Sequence, residues 1–210
     1  MNIYNIYAGS YFSNCYLLVA EGDDEKNHAA VIDPSVDVEE ILSLAQRENA
    51  VIDMIILTHG HFDHILSLDS LRAATGAPAY IHKEDAEMLA NGKKNANYFF
   101  FRKDFSQSPA QVLLEGGEVL KIGNEEINVI HLPGHSKGSI ALMGQGFLIT
   151  GDTLFAEGFG RYDLHGGDPF ILRNTLNSMK DLDPTLTIYP GHGESEKLGR
   201  ALRNISYFLN

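Results

Sequence analysis

Four times along this chain a short apolar run ends beside a glycine and a side chain able to bind a metal. Residues 54–57 lead into Thr58-His59-Gly60-His61-Phe62-Asp63-His64. Residues 127–130 lead to Pro133-Gly134-His135, residues 147–150 to Gly151-Asp152, and residues 186–189 to Pro190-Gly191-His192-Gly193. Apolar runs of this length bounded by turn residues read as buried strands. Strand ends that each present a ligand can converge on one edge of a sheet-rich core, where a rigid scaffold carries functional loops.

The densest of the four places His59, His61, Asp63 and His64 within six residues. Imidazole and carboxylate suit zinc, iron or manganese. Gly60 lets the backbone turn tightly between ligands. His61 and His64, three apart, are expected to share one side of an opening helical turn. The bland alternative is a polar surface loop rich in histidine. Singly, His135 or His192 would read as a surface or capping residue; beside the first cluster they read as ligands.

Elsewhere, residues 3–8, 15–19 and 29–32 read as strands, and Asp37 opens a helix on which Val38, Ile41, Leu42 and Ala45 recur. Helical patterns follow over 66–74 and 84–89. Residues 112–131 read as a meander, and 140–143 with 147–150 as a hairpin turning at Gly144-Gln145-Gly146. Helix, strand and helix over 169–179, 186–189 and 194–208 close the chain. The pattern is that of an α+β protein, a sheet-rich core with helices on its outer faces. The 210 residues suffice for a single domain over 1–210.

Composition removes several classes. Net charge is −12, which argues against a nucleic-acid partner. No apolar run of about 18 residues predicts a membrane span. The N-terminus lacks a basic region followed by an apolar core, so the expected compartment is the cytoplasm. Cys15 is the single cysteine and supports neither an internal disulfide nor a thiolate zinc site; it reads as a small buried hydrophobe.

The series His59-x-His61-x-Asp63-His64, His135, Asp152, His192, with its Gly-Asp-Thr-Leu-Phe and Pro-Gly-His-Gly contexts, resembles the metallo-β-lactamase superfamily across nearly the whole chain. The resemblance implies a four-layer αββα sandwich with metals at one edge of the paired sheets. It implies that His59, His61 and His135 hold one divalent ion, that Asp63, His64 and His192 hold the other, and that Asp152 bridges them. Zinc is the expected metal, with iron or manganese as alternatives. The implied chemistry is attack on a polarised carbonyl by a metal-bridging hydroxide, with Asp63 orienting the nucleophile. No dedicated acid is evident for the leaving group, which suits a thioester better than an amide.

Within the superfamily the chain most resembles the glyoxalase II-like (hydroxyacylglutathione hydrolase-like) branch. The pointer is Gly158-Phe159-Gly160-Arg161-Tyr162-Asp163-Leu164, similar to the Gly-Arg-x-Asp loop that follows the bridging aspartate there. Arg161 and Asp163 are expected to pair and brace the loop beside the metals; the alternative is an Arg161 fork on a substrate carboxylate. Tyr162 lies between them, and His165 reads as a loop residue. Ile65-Leu66 replaces the common Gly-Gly, and Lys137 stands where a proline is usual after His135-Ser136. The chain ends shortly after His192, without the C-terminal helical domain that glutathione-specific members carry. A small-molecule acyl or thioester substrate is expected. The rival readings are a mononuclear iron persulfide dioxygenase using His59, His135 and Asp152, and a non-catalytic metal-binding module. The aromatic stretch within 95–108 reads as core packing, or else as a lid or pocket wall. His28, His82 and His131 read as structural or surface residues.

Overall fold

The computed structural model describes residues 1–6, 13–23 and 25–209. Strand β1 (Asn2–Ile6) is an edge strand and half-exposed, whereas its antiparallel neighbour β2 (Cys15–Glu21) is buried along all but its last residue. Tyr16, Leu18 and Ala20 project to one side of β2 and Cys15, Leu17 and Val19 to the other. A strand covered on both faces reads as a continuous apolar run, and this one does. Next to it lie β3 (Asn27–Ile32), β4 (Ala50–Ile56), β5 (Ala79–His82) and β6 (Val112–Leu114), parallel from β3 onward. Parallel neighbours need crossovers. Helices α1 (Val38–Arg47), α2 (Leu68–Thr75) and the short α3 (Asn97–Phe101) lie in them.

The second sheet holds β7 (Val119–Ile122), β8 (Glu125–His131), β9 (Ile140–Gly144), β10 (Phe147–Gly151), β11 (Thr187–Pro190) and β12 (Glu196–Lys197), in the order β12-β11-β10-β9-β8-β7. Helix α4 (Pro169–Ser178) crosses from β10 to β11, and α5 (Leu198–Asn204) with α6 (Ser206–Leu209) follows β12.

Three apolar layers result. Leu18, Ile32 and Ile56 meet Ile127, Leu142 and Ile149 between the sheets. Leu17, Val31 and Ile55 face Ile41 of α1 and Leu68 and Leu71 of α2. Leu148 and Ile188 face Leu172 and Leu176 of α4 and Ala201 of α5. The architecture is the αββα sandwich expected from the resemblance. Cys15 is fully buried, and burial pushes its thiol well up, as suits a small hydrophobe. No helix among the described residues is long and apolar enough to cross a membrane.

Several local expectations change. Residues 112–114 do not open the meander: β6 pairs in parallel with β5, so the chain changes sheet between β6 and β7. The left-handed Gly116 and Gly117 lie in that crossing. The helix expected over 194–208 is broken into β12, α5 and α6, because 196–197 pair with β11 first. The pattern over 84–89 forms a 3₁₀ turn, Lys83–Met88. Of the first strand, residues 7 and 8 lie outside the described residues.

Candidate metal centre

Thr58 follows β4, and its carbonyl accepts from Ile140 N–H at the start of β9 (2.9 Å), tying the two sheets together at this edge. His59 and His61 leave β4 here, and a single 3₁₀ turn, Phe62–His64, carries Asp63 and His64. His135 follows β8, Asp152 follows β10 and His192 follows β11. The structure thus brings together all seven side chains singled out from the sequence. The expected helical turn forms, yet it separates its pair: His61 joins His59 and His135, while His64 joins Asp63 and His192.

The first group is three nitrogens. His61 Nδ1 lies 2.9 Å from His135 Nε2, which lies 3.2 Å from His59 Nε2. The second group sets Asp63 Oδ2 3.3 Å from His192 Nε2 and 3.9 Å from His64 Nε2. Asp152 reaches both: Oδ1 is 3.4 Å from His64 Nε2, and Oδ2 is 3.4 Å from His192 Nε2 and 3.7 Å from His135 Nε2. His61 Nε2, His64 Nε2 and Asp152 Oδ1 are buried without a hydrogen bond. Orphaned polar atoms are rare in a protein interior. Converging imidazole nitrogens and carboxylate oxygens are the donor set of a divalent cation. The residues present therefore fit two such ions.

Electrostatics divides the site in the same way. Burial holds His59, His61 and His135 below the ordinary imidazole range, His61 at about 3, so this half is neutral. Burial also opposes charge on His64 and His192. Asp152, Asp33 and Asp63 outweigh it at His64, raising it well above its ordinary value, and hydrogen bonds to Asp152 and Asp63 lift His192 to about 9. Burial works against Asp63 and Asp152 as carboxylates, but His64 and His192 keep both below the usual carboxylate range.

A set of supporting residues escaped the sequence reading. Asp33 is buried and accepts from Thr58 N–H (2.7 Å), Thr58 Oγ1 (2.6 Å) and His64 Nδ1 (2.9 Å). Because Thr58 gives its hydroxyl proton to Asp33, its oxygen is left to accept from His59 Nδ1 (3.1 Å). His135 Nδ1 donates to the Arg161 carbonyl (2.6 Å). These partners fix the Nδ1 side of His59, His64 and His135 and leave each Nε2 facing the centre. Asp85 ties the two ligand loops together, accepting from Gly60 N–H, Gly138 N–H and Ser136 Oγ. Asn14 donates through Nδ2 to the carbonyls of Pro190 and Gly193 on either side of His192. Asp33 did carry a signal, since it follows the apolar run 30–32 as the ligands follow theirs; Asp85 and Asn14 carried none.

Replacing Asp33 by asparagine keeps its shape and suits its left-handed backbone (φ 52°), but an amide cannot accept from all three partners. Metal affinity of Asp33→Asn, measured by competition with a chelator, is expected to fall ~10–100-fold, the usual cost of losing an outer partner. Unchanged affinity would show that Asp33 does not orient these histidines.

Arg161 and Asp163 form a two-pronged pair, 2.7 and 2.8 Å, and Arg161 holds Asp163 down to about 2. This is the bracing arrangement: the guanidinium fork is taken by Asp163 while the Arg161 main chain orients His135. Tyr162 stacks toward Phe208, ring centres 6.2 Å apart. His165 lies 3.5 Å from Glu87. Away from the centre, His28 pairs with Asp53 (2.7 Å), and His82 stacks on His131 (4.1 Å). The centre floors a cleft of about 700 Å³, walled by Phe62, Phe100, Phe101, Phe155, Leu164 and Arg161. The aromatic stretch is divided: Phe105 packs against the apolar layer beneath α1 and α2, whereas Phe99, Phe100 and Phe101 are 56, 48 and 57% exposed. Helix α3 is only five residues long and stands at the cleft, too far out to reach the apolar layers.

Known proteins place this geometry. The hydroxyacylglutathione hydrolase GloC of Haemophilus influenzae is 30% identical over 214 residues, covering 100% of this chain and 99% of that protein. Among solved structures, the BLEG-1 B3 metallo-beta-lactamase superposes with a TM-score of 0.89 at 30% identity, covering both chains fully. TTHA1623, solved in a di-iron-bound form, gives 0.80 at 31% identity over 96% of this chain and 98% of that one. Residues 8–192 match the family model of the metallo-beta-lactamase superfamily. That match, spanning every donor of the centre, means that the chain belongs to the metallo-beta-lactamase superfamily.

Proposed function

We propose that this chain is a binuclear metal-dependent hydrolase that cleaves a thioester of the hydroxyacylglutathione kind. The observation that supports it most is Asp152, whose two oxygens face the two donor groups at the floor of an open cleft. His59, His61 and His135 would hold one ion, Asp63, His64 and His192 the other, with Asp152 shared and zinc the expected metal. When bound, such ions lower the pKa of water and polarise a carbonyl.

The chain's own residues supply the rest. Asp63 is the most open carboxylate of the centre, with 18% of its side chain exposed, and it is ionised. It accepts a hydrogen bond from the attacking water and so aims its lone pair at the acyl carbon. Asp33, through His64 and through Thr58 on His59, keeps donors of both groups fixed while charge develops. Water adds to the acyl carbon, the carbon–sulfur bond breaks, and carboxylate, thiol and one proton leave. A thiolate departs without a proton, whereas an amine does not. Besides the donors, the part of the cleft directly over the centre is lined by phenylalanines, Ala96, Gly160, Leu164 and Arg161, none of which is an acid fit for that task. This favours the thioester over an amide, although the likeness to BLEG-1 makes a β-lactam the second substrate to try.

Hydrolysis of S-lactoylglutathione by metal-replete protein is expected to reach ~10⁴ M⁻¹s⁻¹ or more, within the ordinary enzyme range. A background rate with this and simpler thioesters would remove the reading. Oxygen uptake with a persulfide would replace it by the dioxygenase alternative, and turnover of a cephalosporin alone by the β-lactam one.

A further inference from the structure

The cleft has two arms of opposite chemistry, and they meet at His192 and Phe155. One arm is aromatic. Phe62, set between His61 and Asp63, has its ring centre 5.4 Å from Phe101 and 5.8 Å from Phe100. The Arg161 guanidinium lies over Phe99 and Phe100 at 5.7 and 5.6 Å. This wall is anchored to the centre. Phe62 N–H donates to the Asn95 carbonyl (3.0 Å), Asn95 Nδ2 to the Phe105 carbonyl (2.9 Å) and Asn97 Nδ2 to the Lys103 carbonyl (2.7 Å). Left-handed residues at Ala96 and Arg102 bracket the helix that presents it. Arg161, the one arginine or lysine lining this arm among the described residues, already has its fork on Asp163.

The other arm is polar, lined by Glu157, Glu194, Ser195, Glu196 and Arg200, and Arg200 is paired with Glu196 (3.2 Å). Each arm is thus lined by a single arginine already paired with a carboxylate, and the polar arm sets three glutamates beside its own. We infer that the aromatic arm binds an apolar acyl group, so that the preferred thioester carries a medium-length alkyl or aryl chain there and directs its thiol half along the polar arm. This rests on the thioester reading above, keeping its reaction while setting a longer apolar group in place of the short hydroxyacyl one. Exposed phenylalanines beside a reacting centre gain by covering apolar surface. A short hydroxyacyl group would leave them in water.

The test uses the metal-replete full chain and thioesters of one small neutral thiol, N-acetylcysteamine, with acetyl, butyryl, hexanoyl and phenylacetyl groups. The hexanoyl and phenylacetyl compounds are expected to exceed acetyl in kcat/KM by at least ~10-fold, since each methylene added to an apolar pocket is a sizeable factor. In Phe100→Ala/Phe101→Ala that ratio is expected to fall to about 2 or less, through KM of the long substrates, with bound metal unchanged. All three exposed phenylalanines lie outside the apolar layers, so their loss does not hollow the core. A flat chain-length profile in the unaltered protein, or a preference that survives in the double variant, would overturn the inference.

Calorimetry with a hexyl ketone analogue, which has no scissile bond, separates the two readings. Binding weakened by the double variant, with no thioester cleaved, would end the thioester reading and leave the apolar arm standing. Thioester cleavage without binding of the analogue would do the reverse.

Discussion

Asp152→Ala is expected to lower bound metal well below two ions per chain and to cut kcat/KM by more than ~100-fold, beyond what loss of an outer partner costs. The carboxylate is buried, and its oxygens lie 3.4–3.7 Å from nitrogens of His64, His192 and His135. Its oxygens face both donor groups, so its loss would weaken both rather than one. It also sustains the charge on His64 and His192, which must give up their Nε2 protons when they coordinate. Metal content by elemental analysis and turnover on one thioester check the expectation, with circular dichroism as the control for folding. A variant that kept both metal and turnover would remove the basis for a shared-ligand centre.

Gly191→Ala is expected to act almost as strongly with no donor residue replaced. A Cβ at Gly191 would fall on the Asp152 Oδ1 atom and 2.7 Å from His64 Cε1. The neighbouring backbone has little freedom to retreat, because Gly191 N–H is bonded to the Gly151 carbonyl (2.8 Å) and its own carbonyl to Asn14 N–H (2.6 Å). The added methyl must therefore displace Asp152 or His64. A misplacement near 1 Å costs roughly 100-fold in rate. The readouts are activity, metal stoichiometry and thermal midpoint. Near-normal activity would mean that the loop yields where the hydrogen bonds hold it. Gly193→Ala, where a Cβ meets open space, tests the contrast; its φ of 81° costs backbone strain but brings no atom against the donors.

The donor set was legible because it is local. His59, His61, Asp63 and His64 are chain neighbours, and His135, Asp152 and His192 each follow an apolar run, so strand ends and ligands can be read together. Helix α1 was legible through apolar spacing and through Asp37 at its start. What failed were segments whose partners lie far away in the chain. Residues 112–114 have the look of any short strand, and only Tyr80–His82 across the sheet decides that they belong to the first sheet. Residues 194–208 look helical until β11 captures 196 and 197.

From its own sequence, then, this chain determined which side chains can hold a metal, that strand ends present them, and which family the pattern resembles. Alternation, turn residues and ligand chemistry are properties of neighbours in the chain, and they need no knowledge of the fold. Tertiary structure alone decided the tautomers set by Asp33, Thr58 and the Arg161 carbonyl, and the ties that Asp85 and Asn14 give the ligand loops. It also decided that Phe99, Phe100 and Phe101 stand at a cleft instead of filling the core. Each of these depends on distances between residues tens of positions apart, and such distances exist only once the two sheets have closed on each other.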